Sequence, residues 1–177
     1  MKILGIDPGT GRTGWGLINR FSIVDEGIVK KEDGKVLEYV AHGCVVTDQK
    51  DPMHKRLLCL YKTIRKIIKI HQPDCIVIEQ IFFGRNTKTA ISVGQARGVA
   101  MLSAAEIDVP VFEYTTISVK HSLSGYGRTE KKDMQKIVKR ILSKNKRTLP
   151  FNSKDKGFDD AADALAIAIH HAFKIYE

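Results

Sequence analysis

Cysteine is scarce in this chain of 177 residues: Cys44, Cys59 and Cys75 are the whole complement, and no two of them stand in a C-x-x-C spacing. An odd, scattered set supplies neither a disulfide framework nor a zinc site, so the three are expected to be reduced core residues. Long apolar runs are missing as well. No uninterrupted stretch approaches the ~18 residues of a membrane span, and Met1-Lys2-Ile3-Leu4-Gly5 has no signal-peptide pattern, which leads to the expectation of a soluble cytoplasmic protein with no membrane partner. Negative charge is in short supply, with 20 Asp and Glu against 29 Lys and Arg and a formal charge of +9. The imbalance is local: residues 118–147 carry ten basic side chains against two acidic ones, a net +8. A cluster of this kind is the electrostatic footprint of a polyanion binder, with nucleic acid the first candidate. The plainer alternative is a solvated helix face.

What is present is a 43% hydrophobic composition, enough for a substantial core, at a length that suits one domain spanning residues 1–177. No internal repeat interrupts it. Lys2-Ile3-Leu4-Gly5-Ile6-Asp7 predicts a short buried strand ending on an acid, followed by a sharp turn at Pro8-Gly9-Thr10-Gly11. Thr13-Gly14-Trp15-Gly16-Leu17-Ile18 predicts the returning strand, its glycines marking where another backbone or a ligand comes close. Residues 21–36 are polar and irregular, and a third strand follows over residues 39–47. Asp51-Pro52 opens a helix to about Ile70 with an apolar stripe of Leu57, Leu60, Ile64, Ile67 and Ile68. Asp74-Cys75-Ile76-Val77-Ile78-Glu79 is a second buried strand that ends on an acid. Residues 87–107 predict a helix rich in small side chains, suited to a subunit interface or to packing on its own sheet. A fifth strand over residues 109–114 leads into helices over 115–123 and 131–143, then a lysine-rich linker over 144–157.

The chain closes on Asp159-Asp160-Ala161-Ala162-Asp163-Ala164-Leu165-Ala166-Ile167-Ala168-Ile169, a helix apolar almost all round that nevertheless carries carboxylates. Asp160 and Asp163 are three apart and share one face. Two ionised groups so placed repel each other and lose hydration, costs that a divalent cation between them removes. N-capping is the alternative for Asp159 and Asp160, and it accounts less well for Asp163, a turn inside. In an open α/β sheet ligands bind at strand ends, so Asp7 and Glu79 converge on one site if their strands are neighbours. The pattern as a whole predicts an α/β fold, a mixed five-stranded sheet with helices on both faces.

Gly5-Ile6-Asp7-Pro8-Gly9, Ile78-Glu79-Gln80, Gly94-Gln95-Ala96-Arg97-Gly98 and Asp160-Ala161-Ala162-Asp163-Ala164-Leu165-Ala166 together closely resemble the RuvC family of Holliday junction resolvases, in the same order over almost the whole chain. The resemblance implies a ribonuclease H-like fold and an endodeoxyribonuclease that resolves four-way junctions by paired, symmetric nicks in DNA recombination and repair. It places the catalytic, metal-holding carboxylates on Asp7, Glu79, Asp160 and Asp163; some members carry His where this chain has Asp160. It places a junction-acting aromatic on Phe82 and DNA-contacting cations on Arg85, Lys120 and Lys131. It further implies a homodimer with the helix around Gly94 to Ala105 at its interface, and work beside a branch-migration helicase complex of the RuvA and RuvB type. The longer segment over 21–36 and the lysine-rich stretch before Asp159 depart from the family pattern.

Physical chemistry reaches the same site independently. Phosphodiester hydrolysis needs an activated water, a stabilised leaving alkoxide and neutralised phosphoryl charge, and two Mg²⁺ ions roughly 3.5–4 Å apart supply all three. Carboxylates suit Mg²⁺, with Mn²⁺ expected to substitute, better than His or Cys would. Asp7 is the expected bridging ligand. Three rivals remain at this point. Gly5-Ile6-Asp7-Pro8-Gly9-Thr10 also resembles the phosphate loop of actin-like ATPases, whose cleft needs two such domains; a non-hydrolytic binding module would not need all four acids; ribonuclease H shares the carboxylates.

Overall fold

The structure, a computed structural model, describes residues 1–22, 35–80, 87–143 and 158–175. Five strands, β1 (Lys2–Asp7), β2 (Arg12–Ser22), β3 (Lys35–Val46), β4 (Cys75–Gln80) and β5 (Val111–Thr115), form one mixed sheet in the order β3-β2-β1-β4-β5. β1, β2 and β3 make an antiparallel meander, while β4 runs parallel to both β1 and β5. Parallel neighbours need a crossover, and the helices supply it: α1 (Met53–His71) carries the chain from β3 to β4, and α2 (Thr87–Ala105) from β4 to β5. α3 (Thr116–Ser124), α4 (Lys131–Ser143) and α5 (Phe158–Lys174) follow.

Alternation along the strands divides the core into two layers. Leu4, Ile6, Leu17, Ile76 and Ile78 face Ile64, Ile67 and Ile68 of α1 and Ala100 and Ala104 of α2. Ile3, Ile18, Cys75 and Val77 point the other way, onto Leu165 and Ile169 of α5, Val119 of α3, and Met134, Val138 and Leu142 of α4. Helices therefore cover both faces, as the sequence predicts. α5 lies in the middle of the second layer, and Ala161, Ala164, Leu165, Ala168 and Ile169 are wholly buried. Its apolar circumference is what a helix walled by a sheet and two other helices requires.

Two expectations are corrected. The hairpin strands are longer than their apolar patterns suggest, because β2 continues to Ser22 and β3 begins at Lys35, so the ends of the 21–36 segment are paired strand. Cross-strand hydrogen bonding sustains that ladder where hydrophobic alternation has stopped. Of the cysteines only Cys75 is a core residue; Cys44 is half-buried and Cys59 is exposed, and all three are free thiols. Of the two readings of the small residues of α2, packing on its own sheet holds for Ala96, Ala100 and Ala104, which are buried in the core. The remainder of the 21–36 segment and the lysine-rich linker lie outside the described residues.

Candidate active site

Two adjacent parallel strands bring the first two acids together. Ile6 pairs with Ile78, so the next residues, Asp7 and Glu79, stand side by side at the same sheet edge and on the same face. The register extends this row across the sheet: Asp7 pairs with Gly14, Gly14 with Cys44, and Glu79 with Tyr114. The bare glycine in that row is what admits the last helix. A Cβ at Gly14 would stand 2.0 Å from the Asp160 carbonyl oxygen, and one at Gly5 only 1.9 Å from that of Ala164. The backbone of α5 thus rests directly on β1 and β2, and its first turns carry Asp160 and Asp163 to the end of the sheet where Asp7 lies. The close approach anticipated at the glycines is made by another backbone.

Three of the four acids are held from outside. Thr116, at the start of α3, donates its hydroxyl to Glu79 Oε1. Lys131, the first residue of α4, pairs through Nζ with Asp163 Oδ2 at 2.9 Å. Arg12 Nε reaches Asp160 Oδ2 at 2.7 Å, and the Cys44 thiol donates to the same oxygen at 3.7 Å. Asp7 sits at the centre. Burial, then the charges of Glu79 and Asp163, a hydrogen bond with Glu79 and the charge of Asp160 push its carboxyl up to about 8. Burial also raises Asp163, while the hydrogen bond and charge of Lys131 pull it back.

The donor set fits a hard divalent cation: four carboxylates from two strand ends and one helix, the central one kept protonated near neutrality by burial first and then by the charges of its neighbours. Among the described residues no three His, Cys, Asp or Glu side chains converge closely enough to hold an ion as they stand. Arg12 and Lys131 take up Asp160 and Asp163 instead, pairing two of the four acids with protein cations.

A cleft of about 170 Å³ opens beside the acids, lined by Glu79, Asp163, Thr116, Lys120 and Lys131 over an apolar floor that includes Val119, Met134 and Ile167. Lys120 and Lys131 therefore stand where the sequence anticipates cations, on the wall of the acidic cleft, although Lys131 is engaged by Asp163. Phe82 and Arg85 lie outside the described residues. Arg12, Cys44 and Thr116 were not singled out by sequence. A lone Arg after a turn, a lone Cys in a strand and a Thr at a helix start carry no functional signal until tertiary structure sets each against a carboxylate.

The model of the family described as "Crossover junction endodeoxyribonuclease RuvC" matches residues 3–171, a span that contains all four acids. This chain belongs to the RuvC family. Among its relatives, the crossover junction endodeoxyribonuclease RuvC of Desulfitobacterium hafniense is 45% identical, the match covering 99% of this chain and 94% of that protein. That of Chloroflexus aggregans is 44% identical over 98% of this chain and 93% of its own length. Among solved structures, Thermus thermophilus RuvC in complex with a Holliday junction substrate aligns with a TM-score of 0.78 at 29% identity, covering 99% of this chain and 94% of that one. The ribonuclease H-like architecture expected from the sequence is thus the RuvC architecture. None of the described helices is long and apolar enough to cross a membrane.

Proposed function

We propose that this chain is a structure-selective endodeoxyribonuclease that resolves four-way DNA junctions by metal-assisted hydrolysis, with Asp7, Glu79, Asp160 and Asp163 as the catalytic, metal-holding residues. The observation that carries the reading is that these acids, from β1, β4 and α5, lie at one end of the sheet near enough to a buried Asp7 that burial and their charges push its carboxyl up to about 8. Bound there, two Mg²⁺ ions, or Mn²⁺ in their place, supply an activated water, a stabilised leaving alkoxide and neutralisation of the phosphoryl oxygens. Asp7, between the other acids, would be shared by the ions, with Glu79, Asp160 and Asp163 completing their ligands. Thr116 fixes the Glu79 carboxylate so that it need not be ordered when the substrate arrives. Lys120 would hold a backbone phosphate at the mouth of the cleft, and Lys131, paired with Asp163 in the free protein, would be a second phosphate contact on the same wall. Phe82 and Arg85 follow Glu79 closely in sequence and act on the junction strand, Phe82 by stacking or wedging and Arg85 by pairing with phosphate.

The active assembly is a homodimer, which matches the two-fold geometry of paired nicks. Support comes from the outer face of α2, where Ile91, Gln95, Gly98, Leu102 and Ala105 recur at alternating spacings of four and three and all are exposed. Ile91 and Leu102 are 63% and 62% exposed, and a Cβ at Gly98 would meet nothing within 4 Å. A stripe that is apolar but for Gln95, with a glycine at its centre, lets a second helix approach closely. The domain spans residues 1–177 and works in the cytoplasm beside a RuvA and RuvB type branch-migration complex.

The test is a substrate panel in Mg²⁺: a synthetic four-way junction, a linear duplex and an RNA–DNA hybrid of one sequence. Paired nicks confined to the junction are the expected result. Preferential cutting of the hybrid would move the chain to ribonuclease H chemistry, and binding without cutting in Mg²⁺ or Mn²⁺ would make it a non-hydrolytic module.

A further inference from the structure

Asp160 is gripped on one oxygen by two side chains that the metal chemistry itself does not call for. Arg12 Nε lies 2.7 Å and the Cys44 sulfur 3.7 Å from Oδ2. Both donors come from the flank of the sheet opposite Glu79. In the row Cys44–Gly14–Asp7, which continues to Glu79 on β4, Asp160 sits above the glycine, so Cys44 on β3 is on one side of it and Asp7 on the other. Arg12, two residues before Gly14, shares its face of β2. The grip on Oδ2 therefore comes from the side away from the other acids, and Oδ1 is the oxygen that neither donor holds. In metal sites a ligand carboxylate is often oriented by hydrogen bonds from groups that do not themselves touch the ion.

We infer that Arg12, assisted by the Cys44 thiol, is a positioning residue that orients the Asp160 carboxylate toward a divalent cation shared with Asp7. The inference rests on the metal-site reading proposed above. Arg12 suits the role because its guanidinium stays charged at every working pH and its Nε–H presents a directed donor, whereas a lysine in its place would offer a mobile point charge. The Arg12 side chain is 44% exposed, so it is replaceable without opening the core, while Asp160 is 23% exposed and gains the most from an external anchor.

The test is Mn²⁺ binding to the full-length chain without DNA, followed by the electron paramagnetic resonance signal of free Mn²⁺, for wild type, Arg12→Gln, Arg12→Lys, Cys44→Ala and Asp160→Asn. Arg12→Gln is expected to weaken Mn²⁺ affinity about 10–100-fold, Arg12→Lys to restore part of it, and Cys44→Ala to have a smaller effect of the same sign. In cleavage, Arg12→Gln should raise the Mn²⁺ concentration for half-maximal rate and recover most of the rate at saturation. Unchanged or tighter Mn²⁺ binding by Arg12→Gln, with binding lost in Asp160→Asn, overturns the inference alone, since the guanidinium would then be idle or competing with the ion. Wild-type Mn²⁺ binding by Asp160→Asn overturns the metal-site reading beneath it. A large loss of metal-free junction affinity in Arg12→Gln would place the guanidinium on DNA and also overturn the inference.

Discussion

Asp7 shows how one residue's chemistry is set by its neighbours. Its carboxyl is raised from an ordinary 3.8 to about 8, by burial first and then by Glu79, Asp163 and Asp160. A folded-state pKa above the unfolded one means that the metal-free protein keeps this contribution to stability below the unfolded value. The contribution is lost as pH rises through about 8, where Asp7 must ionise among other carboxylates. Thermal melting of the metal-free chain is therefore expected to fall between pH 4 and pH 9 in a manner that Asp7→Asn suppresses, and saturating Mg²⁺ should flatten the wild-type profile; an identical decline in the variant would remove Asp7 as its source. The acids themselves were legible in the sequence because charge on an apolar helix or at the end of a buried strand is costly. Arg12 and Thr116 were not legible, because an exposed cation and a helix-start hydroxyl are common on any surface and become informative only through their distance to Asp160 and Glu79.

At the scale of elements, the site depends on how closely α5 lies on the hairpin. Gly14→Ala would place a methyl 2.0 Å from the Asp160 carbonyl oxygen, which is backbone and has no rotamer to escape into. We expect a loss of about 1–3 kcal/mol in denaturant unfolding, as for other overpacked positions, with junction cleavage falling further than stability because Asp160 moves with its helix. Unchanged stability and cleavage would mean that α5 does not rest on β2. The positions of β1, β4, α1 and α4 followed from apolar periodicity, and α4 lies over Lys131–Ser143 as the sequence indicates. The outer ends of β2 and β3 did not follow, because Phe21↔Val36 and Ser22↔Lys35 are held by a ladder between polar segments, which leaves no hydrophobic signature. Glycine was the most informative residue type at this scale: its spacing announced a close approach, although a helix backbone and a ligand look alike from the sequence.

For the whole molecule, one end of the sheet carries acids, the neighbouring α3–α4 wall carries Lys120 and Lys131, and the face of α2 carries an apolar stripe. In the function proposed above, these three features would divide the labour between cutting, holding a polyanion and pairing two copies. Leu102, 62% exposed in that stripe, gives a clean test of the assembly. Leu102→Glu should convert a dimer to a monomer by light scattering at micromolar concentration while leaving the melting of the isolated fold nearly unchanged, and a wild-type-sized dimer would place the interface elsewhere. Which face of α2 is left open to a second copy was beyond the sequence, since its small residues lie on both sides, and only burial separates Ala96, Ala100 and Ala104 from the exposed set. The measurement that tests the central claim most directly is a comparison of wild type and Asp7→Asn on a four-way junction, with affinity measured in Ca²⁺ and nicking in Mg²⁺. The account predicts that the variant binds within a few-fold of wild type, or more tightly for the loss of a repelling charge, and does not cut; cutting at a rate near wild type would contradict it.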